Sequence, residues 1–270
     1  MFILREIEYK FPQCREELEG SYQLVCARYR ERGYIKSDWK SDLWVLPYCA
    51  FSTAYPIIGT LEGEVVATIS LFLDSPLGLP ADVAFGSQLQ EIREKGKKLG
   101  EIGMLACDPL VGDDSNIFNR MGGFLVVLTL FRLLFELVKI KFSDYTIFIT
   151  VNPKHKDFYK LIGFLPLPGS PVDYRRLDAP AVALYSNVEM FSRIVERRSF
   201  LKKIFLTTQV LAEDILKELE TRYTWGKSDV NYFFQERTSI WNMLPNQDKE
   251  LIIKCCEMVE EDGDTKTEGE

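Results

Sequence analysis

The sequence predicts an α/β fold: a mixed β-sheet flanked by helices and followed by a helical C-terminal extension. Helix-type and strand-type patterns alternate over residues 1–186, an order that places helices on the faces of a sheet. Two runs with strand patterning flank Glu62-Gly63, and a Gly-containing dipeptide between such runs indicates a hairpin. Because a hairpin is antiparallel, the sheet is expected to be mixed. From Asn187 onward the patterns are helical.

Each element before the extension has its own signal. A first helix is predicted within residues 15–35, where apolar side chains recur at three- and four-residue intervals and Gly33 can end the helix. The hairpin follows, and then a loop rich in Pro and Gly at residues 75–85. The later elements are a short helix (86–98), a strand (within 96–109), a long apolar helix (122–140), a strand (144–153), a short helix (154–163) and one or two strands (within 165–188).

These patterns divide the chain into three parts. We expect an α/β domain at residues 1–186, a helical extension at residues 187–260 and a disordered acidic tail at residues 261–270. A chain of 270 residues has room for one large domain with an extension. Its 46% hydrophobic content is sufficient for a substantial core.

Composition argues against several classes of function. A formal net charge of −7 makes a general nucleic-acid-binding protein improbable, since such proteins are usually basic. The chain has one histidine and six cysteines, and none of the cysteines forms a CxxC pair, so no metal site is predicted. The cysteine spacing is unlike that of a small disulfide scaffold, and the N-terminus lacks the features of a signal peptide. We therefore expect reduced thiols and a cytoplasmic location.

The long run at residues 122–140 has nearly the length of a transmembrane helix. It contains Arg132 and Glu136, four residues apart on one helical face. Charged residues are costly inside a bilayer. The run is therefore expected to be a buried helix of a soluble domain.

Glu101 is the first candidate for chemistry. It is the one carboxylate in an apolar strand pattern, and strands rarely bury an acid that has neither a partner nor a function. Two interpretations remain open from the residues alone: a base in an active site, or an exposed acid at the edge of a strand. His155, the sole histidine, is expected to be a surface residue or a helix cap rather than a catalyst.

Two segments carry a family resemblance. The element order, with Tyr159 followed by Gly163-Phe164 in "NPKHKDFYKLIGF", resembles the GCN5-related N-acetyltransferase fold. Roughly residues 24–164 resemble the long-chain N-acyl amino acid synthases, whose best-known members make N-acyl tyrosine and whose fold is related to acyl-homoserine lactone synthases. The residues that carry this second resemblance are Gly33-Tyr34, the hairpin into Asp74, Gly78-Leu79-Pro80, Asp82, Phe85, the basic run 93–98 and Glu101.

The resemblance implies a reaction and a set of site residues. Members of the family join an acyl thioester to the amine of an amino acid, so Glu101 is the expected base for that amine. In this fold the same strand donates a backbone N–H to the thioester oxygen, here from Met104 or Leu105. Tyr159 is expected either to protonate the leaving thiolate or to form a hydrogen bond near the thioester, and a core tyrosine on an amphipathic helix is the alternative. The expected border of the acceptor site comprises Asp74, Asp82 and Phe85.

The resemblance also implies a donor. Family members usually take the acyl group from acyl carrier protein, and "NRMGGF" departs from the usual coenzyme A pyrophosphate loop, so carrier protein is the expected donor and acyl-CoA the alternative. Carrier proteins are acidic, and a basic patch would attract them. The residues expected to contact the carrier protein or its phosphopantetheine are Arg93, Lys95, Lys97, Lys98 and Arg120. No permanently bound cofactor is implied.

Other interpretations stay open at this stage. An enzyme like the acyl-homoserine lactone synthases would use S-adenosylmethionine as acceptor. A catalytically inactive domain of the same fold would bind carrier protein or lipid as a sensor, and an ordinary acetyl-CoA enzyme is a third possibility. The C-terminal helices are expected either to cover the acyl chain or to contact a membrane peripherally.

Overall fold

The computed structural model describes residues 7–108, 117–169, 172–174, 179–206 and 217–267. Its strands are β1 (Glu8–Lys10), β2 (Ala54–Leu61), β3 (Glu64–Leu73), β4 (Lys98–Cys107), β5 (Tyr145–Val151), β6 (Leu165–Pro166), β7 (Val172–Tyr174) and β8 (Ala179–Ser186). Its α-helices are α1 (Arg15–Glu31), α2 (Asp82–Glu94), α3 (Ile117–Lys141), α4 (Lys156–Leu161), α5 (Val188–Arg197), α6 (Ser199–Leu206), α7 (Lys227–Asn231), α8 (Ile240–Met243) and α9 (Asn246–Thr267). A π-helical turn at Tyr232–Glu236 follows α7.

The strands form one mixed sheet, which confirms the predicted fold class. Their order across the sheet is β1-β2-β3-β4-β5-β8-β6, and β7 pairs with β8. The pair β4–β5 is parallel, and the other pairs are antiparallel. Strand β1 has no counterpart in the sequence prediction because three residues are too few for an alternating pattern to emerge.

The predicted hairpin at Glu62-Gly63 is confirmed. Leu61 pairs with Glu64, so the loop between β2 and β3 has two residues. Both have positive φ, +53° at Glu62 and +87° at Gly63. Two-residue hairpins favour turns that need positive φ at both central positions, because their twist matches that of the strands. Glycine at the second position supplies one of these conformations at no steric cost.

Each face of the sheet has its own core. On one face α3 packs against side chains such as Leu71, Ile102 and Ile147. On the other face α1 packs against Phe72 and Met104. Because side chains alternate along a strand, neighbours such as Leu71 and Phe72 contribute to different cores.

The C-terminal extension contributes to both cores. Asn187, where the sequence turns helical, caps α5 by accepting a hydrogen bond of 2.8 Å from the N–H of Met190. Phe191 of α5 stacks on Phe135 of α3 with ring centroids 3.6 Å apart. On the opposite face Phe233 meets Tyr22 of α1 edge-on at 5.3 Å. Apolar burial therefore holds the extension to the sheet domain on both sides.

Helix α3 is buried, as predicted for residues 122–140. Within the described parts of the chain, no helix is long and apolar enough to cross a membrane. The expected Arg132–Glu136 pair does not form: Glu136 pairs with Lys139 at 3.4 Å, and the guanidinium nitrogens of Arg132 have no hydrogen-bond partner among the described residues. Burial lowers the pKa of Arg132 to about 10.

The end of the chain differs in one respect from the expected boundaries. Helix α9 runs to Thr267, seven residues beyond the position where the sequence pattern ends the extension. The sequence pattern also predicts a helix at residues 209–223; residues 209–216 lie outside the described residues, and the rest of this run contains a 3₁₀ turn at Glu218–Glu220.

Candidate active site

A cleft opens where β4 and β5 separate. The two strands pair in parallel from Lys98–Tyr145 to Ile102–Ile149 and no further. Beyond that point β4 continues beside β3 and β5 continues beside β8. The resulting gap holds a cavity of about 460 Å³. Its lining includes Tyr29, Arg32 and Tyr34 at the end of α1, Gly103, Leu105 and Cys107 of β4, Phe124 and Val127 of α3, Thr150 of β5, and His155, Phe158 and Tyr159 in and before α4.

A β-bulge shapes the β4 side of this cleft. Ser70 pairs with Gly103 and Thr68 with Ala106, so Ile69 alone stands opposite both Met104 and Leu105. Met104 has a φ of +54°, unusual for a residue that is not glycine. Its side chain is buried in the α1-side core, whereas Leu105 lines the cleft. The bulge thus separates the two predicted thioester-binding residues: Leu105 lines the cleft, and Met104 lies between two lining residues, Gly103 and Leu105.

Glu101 is a buried residue and not an exposed acid at a strand edge. Only 3% of its surface is exposed. Its Oε2 accepts a hydrogen bond of 2.6 Å from the N–H of Ala81, and its Oε1 accepts one of 3.0 Å from the Oγ1 of Thr150. Ala81 is the N-cap residue of α2, so the carboxylate lies at the positive end of that helix dipole. These contacts fix the carboxylate beside a residue of the cleft wall.

A buried phenol, Tyr159, and a half-buried phenol, Tyr29, line the cleft. Burial is the main cause that raises the pKa of Tyr159, and the neighbouring Tyr29 raises it further. Burial also raises the pKa of Tyr29 to about 12, with Arg32 opposing this shift and Glu101 adding to it. Both hydroxyls therefore keep their protons at neutral pH. Tyr159 is also packed edge-on against Phe158, with ring centroids 5.0 Å apart.

His155 is part of the cleft wall. It occupies the N-cap position of α4 but makes no side-chain capping bond, and its buried Nε2 has no hydrogen-bond partner among the described residues. Burial, together with Arg32 and Lys154, lowers its pKa. The imidazole is therefore neutral at pH 7. The sequence pattern favoured a surface or capping role and gave no signal for this position in the cleft.

Asp74, Asp82 and Arg93 form one ion-pair cluster. The guanidinium of Arg93 binds Asp74 at 2.6 Å and Asp82 at 2.6 Å. Asp82 also accepts a hydrogen bond of 2.7 Å from the N–H of Leu79. These bonds connect α2 to the Gly- and Pro-rich loop that carries Ala81, the donor to Glu101. Phe85, the third expected acceptor residue, is 4% exposed and packs in a separate core cluster.

The basic run is distant from the cleft. Lys98 begins β4, five residues before Gly103, which corresponds to roughly 17 Å along a strand. Its ammonium group pairs with Asp144 at 2.8 Å. Lys95 and Lys97 are exposed beside it. Arg120 belongs to the first turn of α3, and its side chain lies outside the described residues.

The family model of the N-acyl amino acid synthase FeeM matches residues 20–187. This chain belongs to the FeeM family of N-acyl amino acid synthases. It is therefore an acyltransferase, as the sequence predicted. The match ends at Asn187, the residue at which the helical extension of this FeeM-family chain begins.

Three solved structures are similar to this FeeM-family chain. FeeM from uncultured soil microbes is 23% identical over 71% of this chain and 96% of its own chain, with a TM-score of 0.55. ElaA of Escherichia coli is 16% identical over 67% of this chain and 99% of its own, with a TM-score of 0.43. The AHL synthase LasI is 15% identical over 70% of this chain and 92% of its own, with a TM-score of 0.47. No curated protein sequence matches the chain.

Proposed function

We propose that this acyltransferase transfers a long-chain acyl group from a thioester on acyl carrier protein to the amino group of an amino acid. The observation that supports this function best is the position of Glu101. A buried carboxylate, hydrogen-bonded to Thr150 of the cleft wall, lies beside the gap between β4 and β5. Such an acid suits a reaction in which an amine must lose a proton as it attacks.

Each step of the reaction has a residue to perform it. The amine nitrogen attacks the thioester carbonyl, and Glu101 accepts a proton from that nitrogen. The N–H groups of the bulge at Met104 and Leu105 stabilise the oxyanion. The C–S bond then breaks as the amide forms, and the departing thiolate takes a proton from Tyr159. The proton held by Glu101 then passes to the Tyr159 phenolate, directly or through solvent, so both groups return to their starting protonation states.

The identity of the donor is inferred from sequence and charge. "NRMGGF" departs from the usual pyrophosphate loop, which favours a donor that inserts only its phosphopantetheine arm. Lys95 and Lys97 are exposed and are the proposed contacts for the acidic carrier protein. Arg93 and Lys98 are bound to carboxylates of this chain, so they are less available to a partner.

The proposal of a long acyl chain is based on an apolar path that leaves the cleft. Phe124 lines the cavity and stacks on Phe200 of α6, with ring centroids 6.3 Å apart and an interplanar angle of 20°. Phe200 is 52% exposed despite its apolar character. On the same helix α3, Leu128 and Phe131 are fully buried core residues. The path therefore leads from Phe124 towards the C-terminal extension.

The test is a direct assay for products. Purified protein is mixed with acyl carrier protein loaded with chains of different length, or with the matching acyl-CoA, and with all common amino acids. Mass spectrometry then identifies the products. We expect an N-acyl amino acid from the wild type, little or none from Glu101→Gln, and an unchanged rate from Glu64→Gln, which alters an exposed acid of β3.

The other possible outcomes separate the alternatives. A homoserine lactone formed when S-adenosylmethionine is supplied would identify the lactone synthase reaction. Binding of the acyl thioester without turnover, unaffected by Glu101→Gln, would identify a sensor. Faster turnover with acyl-CoA than with the carrier protein would overturn the proposed donor and leave the acceptor chemistry intact.

A further inference from the structure

Arg32 is a cation in the cleft that has no anionic partner within the part of the chain that the structure describes. It lies at the C-terminal cap of α1 and lines the cavity. Other arginines of the same helix are engaged: Arg28 pairs with Glu31, and Arg30 donates to the carbonyl oxygen of Ser41 at 2.9 Å. Arg32 makes no comparable side-chain bond. Arg32 is an exposed residue, and a guanidinium that lines a cavity is well suited to bind a carboxylate or a phosphate.

A second polar group near Arg32 also lacks a partner. The hydroxyl oxygen of Tyr34 is buried, and no described residue forms a hydrogen bond with it. Tyr34 lines the same cavity, and its ring meets that of Tyr29 edge-on at 5.9 Å. A buried hydroxyl without a partner costs free energy that a bound acceptor would recover. Arg32 and Tyr34 thus offer a charged donor and a neutral donor in one cavity.

Cationic groups lie at or near the cavity wall, and an acidic group lies behind it. No Asp or Glu belongs to the described lining of the cavity, and the ammonium group of Lys154 lies 5.5 Å from the centre of the Tyr34 ring. Glu101 is the acid behind the lining, reached through Thr150. The pKa of Tyr29 responds to both Arg32 and Glu101. The cleft therefore offers an anion-binding group and a carboxylate within electrostatic reach of one tyrosine.

We propose that Arg32, assisted by the hydroxyl of Tyr34, binds the carboxylate of the acceptor amino acid while its amine faces Glu101. The inference rests on the proposed function and deepens it. An α-amino acid carries the two groups that this arrangement complements. Arg32 is then a specificity-determining residue: it admits free amino acids and disfavours acceptors whose carboxyl group is blocked.

The phosphate of phosphopantetheine is the other anion of suitable chemistry. Arg32 ends α1, which packs on one face of the sheet, and α3 packs on the other face, although both helices contribute residues to the cavity lining. A phosphate is best received at the first turn of α3, because free N–H groups and the helix dipole favour an anion there. Arg32 therefore suits the acceptor rather than the donor.

The kinetic test compares an amino acid with its carboxamide. The wild type, Arg32→Gln and Lys36→Gln are assayed with the acceptor that the product screen identifies and with the corresponding amino acid amide. We expect Arg32→Gln to raise the KM for the free amino acid about 10- to 100-fold, the range for a lost charge-assisted hydrogen bond. The kinetics with the amide and the KM for the donor should change less than about threefold. Lys36→Gln removes an equal charge from an exposed position outside the cavity lining and should leave the KM for the free amino acid unchanged.

A binding measurement keeps the inference testable without turnover. Calorimetry measures the binding of N-dodecanoylglycine and of N-dodecanoylglycinamide. Both contain the backbone common to α-amino acids, and the first has a free carboxylate where the second has a carboxamide. The wild type should bind the acid more tightly, and Arg32→Gln should bind both alike. Loss of donor binding in Arg32→Gln, or equal binding of acid and amide by the wild type, would overturn the inference. Acid-selective binding by a wild type that makes no product would support Arg32 and contradict the proposed function.

Discussion

Thr150 of β5 donates a hydrogen bond of 3.0 Å to Glu101 of β4. These two residues lie at the point where the parallel strands separate, since the last parallel pair is Ile102–Ile149. The bond therefore crosses the inner end of the cleft. It places one oxygen of the carboxylate against a cleft residue, while the other oxygen is bound to the N–H of Ala81. Thr150 is thus a positioning residue for the proposed base.

Replacing Thr150 with valine should slow catalysis. The change removes the hydroxyl and preserves the shape of the side chain, so Glu101 loses a hydrogen-bond donor. A hydrogen bond to a charged group contributes about 1.5–3 kcal/mol, so kcat should fall about 10- to 100-fold with a smaller change in the KM for the donor. Thr150→Ser should restore most of the rate. An equal loss of rate in Thr150→Ser, or a full rate in Thr150→Val, would contradict this role.

Replacing Arg93 with methionine should destabilise the protein without weakening its donor binding. Methionine keeps part of the apolar stem but leaves Asp74 and Asp82 without their shared guanidinium. Loss of charge-assisted bonds at a half-buried site costs about 2 kcal/mol, or about 4–8 °C in Tm for a chain of this size. Thermal unfolding measures the shift, and Lys36→Met, at an exposed position with no proposed role, is the control. A higher KM for carrier protein at an unchanged Tm would instead support a donor contact.

Much of the fold could be predicted because its signals are local. The hairpin at Glu62-Gly63 depends on two residues, and the cap of α5 depends on Asn187. Glu101 also stood out locally, as one acid in an apolar strand pattern. These features need no information about where the elements lie in space.

The other site residues could not be predicted because they meet through long-range packing. Ala81 is 20 residues away from Glu101 in the sequence, and Thr150 is 49 residues away from Glu101. The apolar spacing of α1 predicted a helix but did not indicate that Arg32 would face the cleft. The basic run was interpreted as a single patch, but Arg93 and Lys98 form ion pairs with carboxylates from other parts of the chain. A sequence shows that a charged residue can form an ion pair, and the fold determines which residue becomes its partner.

Replacing Phe200 with serine should change the preference for acyl-chain length. Phe200 is exposed and stacks on Phe124 of the cleft lining, so the free energy of unfolding should change little. Contact with a few methylene groups is lost, each worth about 0.8 kcal/mol. The KM for a sixteen-carbon donor should therefore rise about tenfold, while that for a six-carbon donor stays the same. Met243→Ser, at a site 61% exposed in α8, is the control, and equal effects on both chain lengths would contradict the proposed path.

The pKa of His155 can be measured directly because it is the only histidine in the chain. Burial, Arg32 and Lys154 each favour the neutral imidazole and lower its pKa below the ordinary 6.5. The unfolded chain then binds more protons than the folded chain just below pH 6.5, so this group makes the protein less stable as pH falls through that window. We expect an NMR titration of the imidazole protons with a midpoint below 6.5. Arg32→Gln and Lys154→Gln should each raise that midpoint.

The same group should leave a signature in thermal unfolding. Between pH 7 and pH 5.5 the Tm of His155→Gln should fall less than that of the wild type, since glutamine does not titrate. The pKa of Glu218 is raised, mainly by burial, so Glu218 acts with the opposite sign, but it does so in both proteins and cancels in the difference. A wild-type midpoint at or above 6.5, or parallel Tm curves, would show that the imidazole is solvated and lies outside the field of the cleft cations.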